Sequence, residues 1–153
     1  MRTALLSFVF FSLLSTWAFG QEKIQWSFDY VAFPSSIHIS AKIENGWHLY
    51  ALDLDPSIGP VPTQIVLEKN KLVKELQPFE IGTIAKKSYD ANFGAELSYY
   101  EKEFFAHKRI LVKKPTIVKG ELTYMLCDDK RCLPPKTILF EIAVKPSELK
   151  KPN

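Results

Sequence analysis

The sequence predicts an all-β sandwich, and three features predict it. Apolar and polar residues alternate with a period of two along much of the chain. Clusters of Pro, Gly, Asn, Asp and Ser break these runs at short intervals, and no stretch carries the apolar spacing of a long amphipathic helix. Alternation places one side-chain set on a core and the other in solvent. About eight or nine short strands with frequent turns then make a two-layer sandwich the natural architecture. With 153 residues, 46% of them hydrophobic, the chain can bury the core of a single domain.

Residues 1–20 read as a cleaved signal peptide. Arg2 is their only charge, residues 5–14 are almost wholly apolar, and Ala18-Phe19-Gly20 places small residues where a signal peptidase reads. The apolar run is shorter than the roughly 20 residues a membrane span needs. No cysteine follows it to carry a lipid. Cleavage before Gln21 is therefore expected, with no stable membrane insertion afterwards. The mature chain divides into a domain, 21–146, and a flexible polar tail, 147–153. Loss of Arg2 leaves 19 basic against 17 acidic residues, a formal charge of +2. No block of like charges suggests nucleic acid, and Lys69, Lys71 and Lys74 read as a solvated edge or turn.

The strands follow in order. Ile24, Trp26, Phe28 and Tyr30 alternate with polar residues, as do Ile37, Ile39, Ala41 and Ile43, with Pro34-Ser35-Ser36 turning between them. Glu44-Asn45-Gly46 is a hairpin signal, because Asn-Gly readily adopts positive φ, and residues 47–52 form the next strand. Residues 53–62 hold three prolines and a glycine and form a connector, preferred over a loop beside the site. Residues 63–68 resume alternation with Ile65 and Leu67 on one face. Residues 70–77 give a turn and a short strand. Residues 78–90 read as irregular, anchored by Ile81 and Ile84. Glu101-Lys102-Glu103 could support a helical turn, but 104–112 reads as a long strand that Lys113-Lys114-Pro115 ends. Residues 117–126 then put Leu122, Tyr124 and Leu126 on one face, and 136–144 put Ile138, Phe140, Ile142 and Val144 on another.

The only two cysteines lie between these last strands, in Tyr124-Met125-Leu126-Cys127-Asp128-Asp129-Lys130-Arg131-Cys132-Leu133-Pro134-Pro135. A bond closing so small a loop stabilises a fold by roughly 2 kcal/mol, against roughly 4 kcal/mol for a loop of about 60 residues. The spacing is a weak staple and a convenient switch, so the pair reads as redox-active on an inter-strand turn. Asp128 and Asp129 raise a neighbouring thiol pKa, while Lys130 and Arg131 lower one. The asymmetry favours Cys132 as the attacking sulfur. Pro134 and Pro135 stiffen the loop beside it. An inert disulfide in a secreted sandwich that binds or scaffolds is the alternative. The scattered His38, His48 and His107 lack the spacing of a metal site, and no Gly-rich phosphate loop or Ser-His-Asp set is present.

Tyr-x-x-Cys, a short polar loop and Cys-x-Pro-Pro resemble the amino-terminal periplasmic domain of the thiol:disulfide interchange protein DsbD. Gly46-Trp47-His48-Leu49-Tyr50 is similar to that family's Gly-aromatic-aromatic-Leu-Tyr strand, and Asp90-Ala91-Asn92-Phe93-Gly94 to its cap loop. The resemblance spans about residues 24–145. It implies an immunoglobulin-like β-sandwich with thiol-disulfide interchange, or protein-disulfide reductase, activity. It implies a periplasmic or secreted location, thioredoxin-fold partner proteins, no cofactor and a monomer. Cys132 would form the mixed disulfide and Cys127 would resolve it. Tyr50 and His48 would lie near the pair, and Phe93 would cap it; a one-residue slip makes Asn92 the matching position. Two departures stand out. His48 replaces a family tyrosine, and four rather than five residues separate the cysteines. The family protein continues into a membrane conduit and a thioredoxin-like domain, so the expected electron donor is a separate membrane protein.

Overall fold

A computed structural model describes residues 22–147; the expected signal peptide and residues 148–153 lie outside the described residues. Those residues contain twelve strands and no helix. β1 (Ile24–Ala32) and β2 (Ser35–Ile43) form an antiparallel hairpin in which Ala32 faces Ser35 across a two-residue turn. The predicted alternation is visible: Ile37, Ile39, Ala41 and Ile43 are buried, and Gln25, Ser27 and Asp29 are exposed.

The Glu44-Asn45-Gly46 turn forms, with Gly46 at φ +84° and the Trp47 N–H donating to the Glu44 carbonyl at 3.1 Å. It does not make a hairpin. Both edges of β2 are already taken, by β1 and by β9 (Glu103–Val112). The chain must therefore leave that sheet, and β3 (His48–Tyr50) joins another. β4 (Gln64–Leu67) turns Ile65 and Leu67 to the core as expected, and β5 (Val73–Glu75) is the short strand of the 70–77 region.

Residues 78–90 are not irregular. They hold β6 (Glu80–Ile81), which pairs with β9, and β7 (Lys86–Asp90), which pairs along its whole length with β8 (Ala95–Glu101). Ile81 packs on the core, but Ile84 is 93% exposed and anchors nothing. β7 is an edge strand exposed at four of its five positions, so it carries no buried face for periodicity to reveal. Lys102, with φ +67°, separates β8 from β9, so Glu101-Lys102-Glu103 joins two strands and forms no helical turn.

β10 (Thr116–Tyr124) is flanked by β4 and β12 (Lys136–Val144). The run into the cysteines breaks at Met125. β11 (Leu126–Cys127) belongs with β3, in a four-stranded sheet ordered β11-β3-β8-β7. One core joins all the sheets, with Ile37 and Ile39, Val118 and Leu122, and Leu49, Tyr100 and Leu126 in one buried cluster. The chain beyond β12 is held at Lys145, whose carbonyl accepts a hydrogen bond from the Tyr30 hydroxyl at 2.5 Å.

The sheet of β11, β3, β8 and β7 is apolar on both faces. Trp47, Leu49, Ala51, Tyr100 and Leu126 enter the main core. Tyr50, Leu97 and Cys127 form a second cluster, with Leu54, Phe93, Ala95, Tyr99, Met125 and Cys132 packed against it. The main core carries the stability. Leu122→Ala, at a side chain with no exposure, is expected to lower the unfolding free energy by about 2–5 kcal/mol through lost burial and a residual cavity. Leu139→Ala, on a side chain 81% exposed, is expected to change it by less than about 0.5 kcal/mol. Urea titration of the two variants checks the difference.

Candidate functional site

Cys127 and Cys132 are disulfide-bonded, with Cα atoms 4.0 Å apart. They also face one another as an isolated antiparallel bridge. Two backbone hydrogen bonds close the hairpin around them, Leu133 N–H to the Leu126 carbonyl at 2.8 Å and Asp128 N–H to the Arg131 carbonyl at 2.9 Å. The four-residue loop is organised by Asp128. Its carboxylate accepts the Lys130 and Arg131 N–H groups, both at 2.8 Å. Those bonds, the Lys130 N–H first, hold its carboxyl below the usual carboxylate range. Among the four charged residues, then, Asp128 is turned into its own backbone. Arg131 stacks its guanidinium 5.7 Å from the Trp47 ring. Cys127 is completely buried, while Cys132 is half-buried.

Strand pairing brings the other expected residues to the disulfide. β3 lies between β11 and β8, so His48 faces Cys127 on one side and Glu101 on the other, and Tyr50 faces Tyr99. Directly opposed residues share a face. His48 and Tyr50, two apart, therefore both stand on the disulfide side. Tyr50 is fully buried. Its hydroxyl donates to Asp90 Oδ2 at 2.5 Å, and burial, followed by Asp90, pushes the phenol far above its ordinary range.

Asp90 is the fastening of the 90–94 loop. Oδ1 accepts the Asn92 N–H at 2.8 Å, and its carbonyl accepts the Gly94 N–H at 2.8 Å. Phe93 is half-buried and meets Tyr50 edge to face, with ring centroids 5.8 Å apart. Asn92 is exposed and reaches the other way, its amide donating to the Asp128 carbonyl at 3.4 Å. Within the 90–94 loop, Phe93 supplies the packed ring and Asn92 the polar tie to the cysteine loop.

His48 packs between Tyr50 and Tyr99, with ring centroids at 5.1 and 4.9 Å. Its Nε2 is buried without a hydrogen bond, 3.7 Å from Asp90 Oδ2. It lines a cavity of about 160 Å³ with Asp90, Asn92, Tyr99, Asp128 and Asp129. Desolvation lowers its pKa against the opposing pull of Asp90, Glu101, Asp129 and Asp128. His38 and His107 sit elsewhere, opposite one another on β2 and β9. Among the described residues no three His, Cys, Asp or Glu side chains are grouped to hold a metal ion.

Several surrounding residues escaped the sequence reading. Asp90 stood in the cap motif but was not singled out, although Asp at the head of a turn commonly accepts backbone N–H groups. Leu97 and Tyr99, on β8, carry no motif that sets them apart in the sequence. The 53–62 segment is not a plain connector. Leu54 packs on the Tyr50–Cys127 cluster, and Gly59 lies directly against Phe93.

Fold and site together define a class: a β-sandwich domain with a short-loop disulfide seated in an aromatic shell. The sequence matches the family described as thiol:disulfide interchange protein DsbD, N-terminal, over residues 19–143, and the chain belongs to that family. Three solved structures share its immunoglobulin-like fold. The reduced DsbD N-terminal domain of Neisseria meningitidis superposes with a TM-score of 0.55 at 16% identity, over 78% of this chain and 86% of that one. The complex of the DsbD and PilB N-terminal domains from the same organism gives 0.54 at 16% identity, over 80% and 88%. The N-terminal periplasmic domain of ScsB from Proteus mirabilis gives 0.53 at 14% identity, over 82% of this chain and 48% of that one. A search of curated proteins finds no match.

The half-buried His48 predicts a pH dependence. A histidine whose folded pKa lies below its unfolded value binds more protons when unfolded. Its contribution to stability is therefore complete above the unfolded value of about 6.5 and is lost as pH falls below it toward the folded pKa. The thermal midpoint of the oxidised protein is expected to drop as pH falls from 7 through this window, and His48→Gln is expected to flatten the drop. Thermal melts across pH compare the two, with His38→Gln separating the similarly lowered His38.

Proposed function

We propose that the domain is an exported dithiol/disulfide exchanger in which Cys132 is the exchanging sulfur and Cys127 the resolving one. The observation that carries this reading is the difference in burial between the bonded sulfurs, Cys127 completely buried and Cys132 half-exposed. Exchange requires a sulfur that a partner can approach in line. Arg131 and Leu133, on either side of Cys132, line a groove of about 330 Å³ that offers room for a partner's chain. Family membership supports interchange chemistry, and the expected signal peptide supports work outside the cytoplasm.

The Cys132 thiolate attacks one sulfur of an oxidised partner. A Cys132–partner disulfide forms, and the partner's other sulfur leaves as a thiolate that takes a proton. The Cys127 thiolate then attacks Cys132, closing the Cys127–Cys132 bond and releasing the partner's second thiolate. Two electrons pass to the partner. A donor dithiol, from a thioredoxin-fold or membrane protein, resets the pair by the reverse sequence. Phe93 and Tyr50 limit unselective exchange, and Asn92 and His48 border the loop that must yield when a partner docks. The chemistry calls for no organic or metal cofactor.

Trapping tests the assignment. Cys127→Ala is expected to accumulate mixed disulfides through Cys132 with exported thioredoxin-fold proteins, identified by mass spectrometry, and Cys132→Ala is expected to accumulate none. No adduct in the first variant, together with a reduction potential below about −300 mV in the range of inert secreted disulfides, would refute the proposal.

A further inference from the structure

The geometry points to Gly59 as a positioning residue for Phe93, and to the 53–62 loop as the second jaw of the shield around the disulfide. The inference rests on the exchange reading and adds a part that the cysteine and cap motifs do not contain. A Cβ placed on Gly59 would lie 2.7 Å from Phe93 Cδ1, 2.9 Å from Cγ and 3.0 Å from Cβ. The last two atoms are the root of the aromatic side chain rather than its free end. A methyl group here cannot be accommodated by a small swing of the ring tip; the whole ring must move. Gly59 does not have a positive φ, so substitution perturbs the close approach and not the backbone conformation.

The loop is built to hold that approach. Asp55 accepts the Ser57 N–H and hydroxyl at 2.9 and 2.7 Å, and its carbonyl accepts the Ile58 N–H at 3.1 Å. Pro60 is fully buried and Thr63 almost so, and Thr63 Oγ1 donates to the Tyr50 carbonyl at 2.6 Å. The backbone that presents Gly59 is therefore fastened to the strand that presents Tyr50. Phe93 touches both, meeting the Tyr50 ring edge to face and the Gly59 backbone directly. Asp90 fixes the near end of the cap loop, and Gly59 sets how deeply its aromatic ring settles against the Tyr50–Cys127 cluster.

The test is the rate at which dithiothreitol reduces the Cys127–Cys132 bond in the intact domain, followed by quenching and maleimide mass tagging. Gly59→Ala is expected to speed reduction at least threefold, with the equilibrium against dithiothreitol unchanged within twofold. Phe93→Ala is expected to speed it as well. Because Gly59 acts through the ring, the double variant is expected to match Phe93→Ala within twofold. A wild-type rate in folded Gly59→Ala, or a further acceleration in the double variant, overturns the inference. Should Gly59→Ala fail to fold by circular dichroism, the double variant decides: recovery of the fold with the Phe93→Ala rate supports the inference, and failure to fold or a faster rate overturns it. Dithiothreitol probes the shield without a protein partner, so failure of Cys127→Ala to trap partners sinks the exchange reading and leaves this result to be judged separately.

Discussion

The arrangement of the site depends on one strand of three residues being paired on both sides. β3 has Leu126 and Cys127 as partners on one edge and Tyr99, Tyr100 and Glu101 on the other. That register turns Leu49 into the main core and His48 and Tyr50 toward the disulfide. Side chains alternate with a period of two, so a slip of one residue would send Leu49 to the site and Tyr50 into the core. Burying Leu49, Tyr100 and Leu126 in the same cluster makes such a slip costly. Packing that stabilises the sandwich thus also orients the shell around the cysteines.

A second level of order comes from Asp90. Its side chain is 8% exposed, and a carboxylate so withdrawn from water requires hydrogen-bond partners. The Tyr50 hydroxyl and the Asn92 N–H supply them, and the short Tyr50 contact is of the charge-assisted kind. The same bonds tie the 90–94 loop to β3 through Tyr50. Asn92 carries the tie on to the cysteine loop, and Thr63 carries another from Tyr50 to the 53–62 loop. Three loops distant in sequence are linked through two residues, Tyr50 and Asp90. His48 sits beside them with an unbonded Nε2, which ties the stability of this corner to pH.

Where one face of a strand meets the core and the other meets water, the sequence was legible. β1, β2, β4, β10 and β12 show the predicted alternation, and β9 is the long strand expected there. It was illegible where that contrast fails. β7 is exposed along nearly its whole length, and β6 is two residues long, so neither could imprint a pattern. The sheet of β11, β3, β8 and β7 has an apolar layer on each face, which hid Leu97 and Tyr99 among ordinary core residues. The Asn45-Gly46 turn was correctly placed, but its outcome depended on whether the edge of β2 was free, which is a property of distant β9.

By itself the sequence determined the all-β class, the strand phases, the sites of turning and the proximity of Cys127 to Cys132. These follow from local conformational preference and from alternation, which act within a few residues of chain. Only the tertiary structure decided that Cys127 is sealed while Cys132 is half-open, that Asp90 ties the 90–94 loop to Tyr50 and that Gly59 bears on Phe93. Those relations join residues as far apart as 34 and 40 positions in the chain, as with Gly59–Phe93 and Tyr50–Asp90. Steric contact and hydrogen bonding between such segments exist only once the sheets have closed around a common core.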